Sequence, residues 1–124
     1  MRRFREFLNE SPNETEAVVP VSVYLHTPPD LDRPIDMLIV GVKANLYVSF
    51  VETVELASLT PTQKTVNNLK VMQYGRDALH DDRLPLVCEI DKTGRYYIVD
   101  GHHRICGAIV QGLTHLAVRI VLHQ

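Results

Sequence analysis

The residues with the clearest chemical potential lie in the segment 97–104, YIVDGHHR. An apolar run typical of a β-strand leads into Asp100 and Gly101, and the apolar residues after Arg104 recur at helical spacing. At a corner between a strand and a helix, the first N–H groups of the helix are unpaired and the helix dipole is positive. We therefore expect an anion to bind at this corner.

Each side chain of the corner has a separate predicted role. Gly101 permits a positive φ and a close approach of the backbone to a ligand. Arg104 can bind two phosphate oxygens through its planar guanidinium, and His102 and His103 can donate further hydrogen bonds. Because a protonated imidazole binds phosphate better, binding should weaken as the pH rises through the histidine range. Asp100 suits the orientation of a histidine, the binding of a metal ion or the acceptance of a substrate proton.

Two alternative interpretations of the corner stay open from sequence. Asp-Gly is a common turn and aspartate a common helix cap, so the donors could form only a solvated first turn. Adjacent histidines usually point apart, and a metal site would need a third ligand from elsewhere, such as His80 or His115. We therefore assign no metal ligands.

The second half of the chain predicts a hairpin, a helix and a final strand. The turn sequence DKTG separates two runs rich in residues with high strand propensity, and Gly112 ends the helix that follows the corner. Ile105, Ala108 and Ile109 lie on one face of that helix. The predicted elements are strand 86–90, turn 91–94, strand 95–99 and strand 116–121.

The first half predicts three strands and a helix. Apolar, β-branched runs predict strands at 18–25, 37–42 and 45–56. The helix is predicted over 61–74, and Gly75 would end it. Its predicted markers are Thr60 as N-cap, Pro61 at the first position, Gln63 completing a capping box, and a stripe of Val66, Leu69 and Met72.

Length and composition indicate one soluble α+β domain. The chain has 124 residues, 45% hydrophobic residues and a formal charge of -2, which does not favour nucleic acid or membrane as the main partner. Cys88 and Cys106 lie in apolar surroundings typical of reduced, buried thiols, so we expect a cytoplasmic protein. Residues 1–17 are predicted to form a helix-and-linker arm that docks on another subunit, giving a homo-oligomer, and 18–124 form the domain.

The order of these elements resembles that of the ParB/sulfiredoxin superfamily over residues 51–121. The resemblance lies in VETVELASLTPTQ, the helix after it, LPLVCEID, GRYYIVDGHHRICGAIVQGL and LAVRIV. It implies a small mixed sheet with helices packed on it and a nucleotide, ATP or CTP, bound with Mg²⁺. It also implies that Thr62, Gln63 and Lys64 contact the nucleotide beside Gly101, His102, His103 and Arg104.

Departures from the family narrow the expected chemistry. His102 stands where the sulfiredoxin motif Gly-Cys-His-Arg has its catalytic cysteine, and imidazole cannot form the required sulfur link, so sulfiredoxin activity is not expected. In ParB the corresponding motif is Gly-Glu-Arg-Arg. The segment that follows this motif in ParB has no counterpart before Gln124. The resemblance therefore favours a small stand-alone member, of the type labelled ParB-like nucleases.

The sequence supports two hypotheses for function. In the first, the corner supports nucleotide-dependent phosphoryl transfer or phosphodiester cleavage, with Asp100, His103 or Glu89 as the catalytic groups. In the second, the corner binds a DNA phosphate or a partner protein without chemistry, as in an accessory protein of a phage or plasmid.

Overall fold

The computed structural model describes residues 17–77 and 83–122. The predicted arm at residues 1–17 therefore lies outside the described part of the chain except for Ala17. In chain order the elements are β1 (Val18–Pro20), α1 (Ile35–Lys43), β2 (Ser49–Glu55), β3 (Leu59–Thr60), β4 (Thr65–Asn67), α2 (Asn68–Asp77), β5 (Leu86–Glu89), β6 (Tyr96–Asp100), α3 (His102–Val110) and β7 (His115–Val121). Within these two ranges, no helix combines the length and the apolar character needed to cross a bilayer.

A mixed five-stranded sheet with the order β2-β7-β5-β6-β3 forms the centre of the fold. β5 and β6 form an antiparallel hairpin, whereas β3 runs parallel to β6. Because parallel strands end at the same edge of a sheet, the segment after Thr60 and the corner after Asp100 meet there. β1 and β4 form a separate antiparallel pair. The predicted α+β class, a small mixed sheet with helices packed on it, is confirmed.

The sheet buries apolar side chains on both faces. Along β6, Ile98 belongs to the larger core, which includes Val71 of α2 and Ile105 of α3. Tyr97 and Val99, the residues on either side of Ile98, point to the opposite face and pack in a smaller core with Leu38 of α1. This alternation is the period of two that a strand imposes, and it places α1 on one face of the sheet and α2 and α3 on the other.

The strand predicted at 37–42 is wrong, because these residues lie in helix α1. A short apolar run does not distinguish a buried strand from a helix. The helix is favoured by Asp36 in its first turn and Lys43 in its last turn, where both charges complement the helix dipole. Leu38 is buried against the sheet, while Met37 is exposed.

The predicted start and end of the helix after Thr60 are also wrong. Thr60 belongs to β3, and α2 begins at Asn68, where the Oδ1 of Asn67 accepts hydrogen bonds from the N–H groups of Leu69 and Lys70 at 3.0 and 3.3 Å. Asn67 is therefore the N-cap. Gly75 does not end the helix but lies within it, packed against the backbone of Gly107 in α3.

The structure also differs from the predicted apolar stripe of the helix and from two of the predicted strands. Leu69 and Met72 are largely exposed, whereas Val71 is buried. The strands predicted at 18–25 and 45–56 are shortened to β1 and β2, each followed by a short 3-10 turn. The hairpin, the helix after the corner and the final strand are confirmed within one or two residues.

Candidate functional site

Gly101 forms the junction between β6 and α3 as the N-cap of the helix, with φ 104° and ψ 26°. This left-handed conformation is one that glycine adopts without strain. A Cβ atom at this position would lie 2.9 Å from the Cβ and 3.0 Å from the Cα of Pro85, which is itself fully buried. Both the backbone angle and the close approach of Pro85 therefore require glycine here.

A cavity of about 510 Å³ opens at this junction. Its apolar lining comes from α1, from the segment before β5 and from β6: Ile35, Ile39, Leu84 and Val99. Its polar and aromatic lining consists of Gln63, Tyr74, Arg83, Asp100, His102, His103 and Arg104, together with Gly101. Six of the predicted site residues thus border one cavity: Gln63, Asp100, Gly101, His102, His103 and Arg104.

Two arginines give this cavity its positive charge. The guanidinium of Arg104 lies over the ring of Tyr74, with its Cζ 4.8 Å from the ring centroid, a cation–π contact that holds Arg104 against α2. Arg83 is a second arginine in the lining, and Asp100 is an acidic residue there. Among the residues that the structure describes, two cations and one anion give the lining a net positive charge when the two histidines are neutral.

His102 is buried and its ring is already engaged. Its Nε2 accepts a hydrogen bond from the backbone N–H of Thr62 at 2.9 Å, and its side chain is only 5% exposed. Burial, with a smaller effect of the neighbouring His103, lowers the pKa of His102 to about 4. The imidazole is therefore neutral at physiological pH.

His103 is engaged in the same way. Its Nε2 accepts a hydrogen bond from the backbone N–H of Asn67 at 3.0 Å, and partial burial, followed by the nearby Lys70, lowers its pKa. The prediction that the histidines offer protonated donors to a phosphate is therefore wrong for these Nε2 atoms, which act as acceptors. Because Nε2 of His103 already accepts this hydrogen bond, it is not available to accept a proton from a substrate.

Thr62 and Lys64 do not border the cavity, whereas Gln63 does. The hydroxyl of Thr62 donates to the carbonyl of Ile98 at 2.6 Å and so ties the segment to β6. Gln63 is not part of a capping box, and its Nε2 donates to the carbonyl of Thr65 at 2.7 Å. Lys64 is exposed, and its carbonyl accepts the N–H of Val21 at 2.8 Å.

Asp100 and Glu89 lie at opposite ends of the hairpin. Asp100 pairs with Leu86, whereas Glu89 pairs with Tyr96 three residues further along β5, roughly 10 Å away. The Oε2 of Glu89 accepts the N–H of Gly94 at 3.1 Å in the hairpin turn. The strand pairing therefore separates Glu89 from Asp100 and from the cavity at the corner, and the catalytic role of Glu89 stays a prediction.

The thiols and the metal-ligating residues add no further reactive group to the corner. Cys106 is fully buried within α3, and burial raises the pKa of its thiol to about 12. It is therefore protonated and inaccessible as a nucleophile. No cluster of three or more histidine, cysteine, aspartate or glutamate side chains suited to a metal ion occurs in residues 17–77 and 83–122. His80, named above as an example of the third ligand that a metal site would need, lies outside these ranges.

A solved structure of a ParB protein is similar to this chain. It is the C-terminally truncated chromosome-partitioning protein ParB from Caulobacter crescentus, complexed with CTP-gamma-S. The sequence identity is 21% and the TM-score 0.44, over 60% of this chain and 44% of that chain. This chain therefore spans less than half the length of that ParB. No protein-family model and no curated protein matches the sequence.

Sequence reasoning missed half of the lining. Ile35 and Ile39 were hidden because α1 was predicted as a strand beginning two residues later. Tyr74 was predicted to be helical, but its partner Arg104 comes from an element 30 positions away. Arg83 and Leu84 precede Pro85, and no local signal indicates that this segment borders the corner. For Tyr74, the available signal was an aromatic residue in a predicted helix that could pack against the arginine of the corner.

Proposed function

We propose that the cavity at the β6–α3 corner binds a nucleotide, with its phosphates at Gly101 and Arg104. The observation that carries this proposal is one cavity whose lining combines Gly101, at the start of α3, with the two arginines Arg83 and Arg104. A helix start favours an anion, and guanidinium groups bind phosphate oxygens in pairs.

The size and the two-sided lining support a nucleotide over an inorganic phosphate alone. A volume of about 510 Å³ is within the range of small-molecule sites. Phosphates would lie at the charged side, while Ile35 and Ile39 offer an apolar wall to a base. CTP and ATP, each with Mg²⁺, are the nucleotides proposed from the motif resemblance.

For chemistry at this corner we propose Asp100 as the proton acceptor. Among the residues that the structure describes, it is the carboxylate in the lining of the cavity. A positioned general base contributes about a hundredfold or more to a rate. With nucleotide and Mg²⁺ followed by ³¹P NMR, Asp100→Asn should therefore lower turnover about a hundredfold. Equal turnover in the variant would remove Asp100 from the chemistry.

Isothermal titration calorimetry with CTP, ATP, GTP and UTP, each with and without Mg²⁺, tests the binding proposal. At least one nucleotide should bind, and Arg104→Ala should weaken it at least about tenfold, because the variant loses a charge-assisted contact to phosphate. Arg95→Ala is the matched control, because it removes the same charge at an exposed position near the hairpin turn. The absence of heat with every nucleotide would refute the proposal.

Binding of DNA or a partner protein without chemistry is the competing proposal for the same corner. Duplex DNA in the same titrations separates the two. A DNA-binding corner would show affinity that falls steeply with salt, with a slope that reports the number of phosphates contacted. If the corner is a nucleotide site, added DNA should not displace the bound nucleotide.

A further inference from the structure

Two neighbouring imidazoles at the start of α3 hold one segment of the chain by its backbone. His102 accepts the N–H of Thr62 at 2.9 Å, and His103 accepts the N–H of Asn67 at 3.0 Å. We propose that His102 and His103 are positioning residues that clamp the segment 62–67 onto α3 and thereby shape the wall of the cavity. The consequence for ligand affinity rests on the proposed nucleotide-binding function, whereas the clamp itself does not.

The acceptor role fixes the protonation state of each ring. A backbone N–H can only donate, so each Nε2 must carry a lone pair and the remaining proton must lie on Nδ1. An imidazolium has a proton on both nitrogens and cannot accept either bond. The clamp therefore closes only when the two rings are neutral, each in its Nδ1–H tautomer.

The surroundings of the pair favour this neutral state. His102 is buried beside His103, and Lys70 of α2 acts on His103 as a like charge. In the part of the chain that the structure describes, the other charged residues that border the cavity with the pair are Arg83 from the segment before β5, Asp100 at the end of β6 and Arg104 on α3 itself. Burial and the neighbouring cation both disfavour a proton on the pair.

The clamp reaches the cavity by two routes. Thr62 precedes Gln63, which lies in the cavity wall, so the bond to His102 fixes the position of that side chain. Asn67 is the N-cap of α2, so the bond to His103 fixes the start of the helix that carries Tyr74. Tyr74 in turn lies under the guanidinium of Arg104. Loss of either bond therefore loosens groups that would contact the phosphates.

This role reverses the pH dependence expected from the sequence. Protonated donors would give affinity that weakens as the pH rises, whereas a clamp of neutral acceptors gives affinity that is complete above the histidine range and is lost as the pH falls. His103→Gln keeps an acceptor near the position of Nε2 and cannot be protonated, so it isolates this effect. His103→Leu removes the acceptor at every pH.

The histidine tautomers and the protection of the amides from exchange test the clamp in the absence of any ligand. Long-range ¹H–¹⁵N spectra of the histidine rings at pH 7 should show both rings protonated on Nδ1 and not on Nε2. Hydrogen exchange should show protected amides at Thr62 and Asn67, with Asn67 losing at least tenfold protection in His103→Leu and retaining it in His103→Gln. A proton on Nε2 of either ring, or equal exchange in the two variants, would overturn the proposal.

A nucleotide titration between pH 5 and pH 8 tests the effect of the clamp on the site. Wild-type affinity should fall more steeply below pH 6 than that of His103→Gln in the same buffers, and the comparison cancels protonation of the nucleotide itself. A steeper fall in the variant would overturn the positioning role. If no nucleotide binds while the tautomers and amide exchange are as expected, the proposed function fails and the clamp stands.

Discussion

The two ends of the β5–β6 hairpin contain the same kinds of residue in different surroundings. At the turn end, Glu89 accepts a hydrogen bond from Gly94, whose φ is 76°. At the helix end, Asp100 precedes Gly101, whose φ is 104°. An acid and a glycine with positive φ therefore occur at both ends.

The surroundings of each glycine make the difference. The turn end closes as a type I′ turn, in which the N–H of Thr93 donates to Ile90 at 2.9 Å and Asp91 and Lys92 both have positive φ. Its neighbouring cavity, of about 360 Å³, has Glu89, Asp91 and Lys92 as charged lining among the described residues, and these sum to a net negative charge. At the helix end the chain enters α3 at a cavity whose described lining includes two arginines, and the net charge of that described lining is positive. The neighbours, not the acid and the glycine, make one end suited to phosphate.

The largest effect we expect is on stability, from an added methyl group at each glycine. Gly101→Ala meets both left-handed strain and the buried Pro85, so it should lower the free energy of unfolding by about 3 kcal/mol. Gly94→Ala has the same kind of strain but nothing within 4 Å of the new Cβ, so it should cost about 1 kcal/mol. Urea unfolding measures both, and equal costs would contradict the role given to Pro85.

The buried histidine at the helix end, His102, should make the stability of the protein depend on pH. The folded pKa of His102 is about 4, below its ordinary value of 6.5, so the unfolded chain binds more protons between these values. The contribution of His102 to the free energy of unfolding is therefore complete above pH 6.5. It is lost as the pH falls toward 4, by on the order of 3 kcal/mol. His102→Gln should flatten this slope in urea unfolding. An unchanged slope in His102→Gln would contradict this assignment.

A smaller effect separates the two carboxylates. Asp100→Asn removes the negative charge nearest the proposed phosphates, so nucleotide affinity should rise roughly fivefold at low salt. Glu89→Gln, at the turn end, should change it less than about twofold. Calorimetry with the same nucleotide measures both, and an effect of Glu89 as large as that of Asp100 would erase the distinction between the ends.

The sequence predicted the elements whose signals are local. The DKTG turn, the glycine at 101 and the spacing of Ile105 and Ala108 are recognised within a few residues, and the hairpin and α3 are where these signals place them. The run at 37–42 had no such marker, and its helix is decided by packing against the sheet, a tertiary effect that periodicity does not contain. Thr60 satisfied the rules for a helix cap, but its pairing with Tyr97 took precedence.

The site was predictable only along its own segment. Asp100 to Arg104 all border the cavity, because they are consecutive at one corner. Gln63 was placed there by the motif resemblance, whereas Arg83, Tyr74 and Ile35 come from segments brought together by the fold. The acceptor role of the histidines was missed because it depends on two backbone N–H groups from residues 62 and 67, whose positions no sequence pattern shows.

The most direct test of the central claim is a ¹H–¹⁵N NMR titration of the protein with CTP or ATP and Mg²⁺. We predict shifts of the Gly101, His102 and Arg104 amides and of the Arg104 side chain, with the amides of residues 89–95 unmoved. Shifts concentrated at residues 89–95, or none at the start of α3 at saturating nucleotide, would contradict nucleotide binding at this corner.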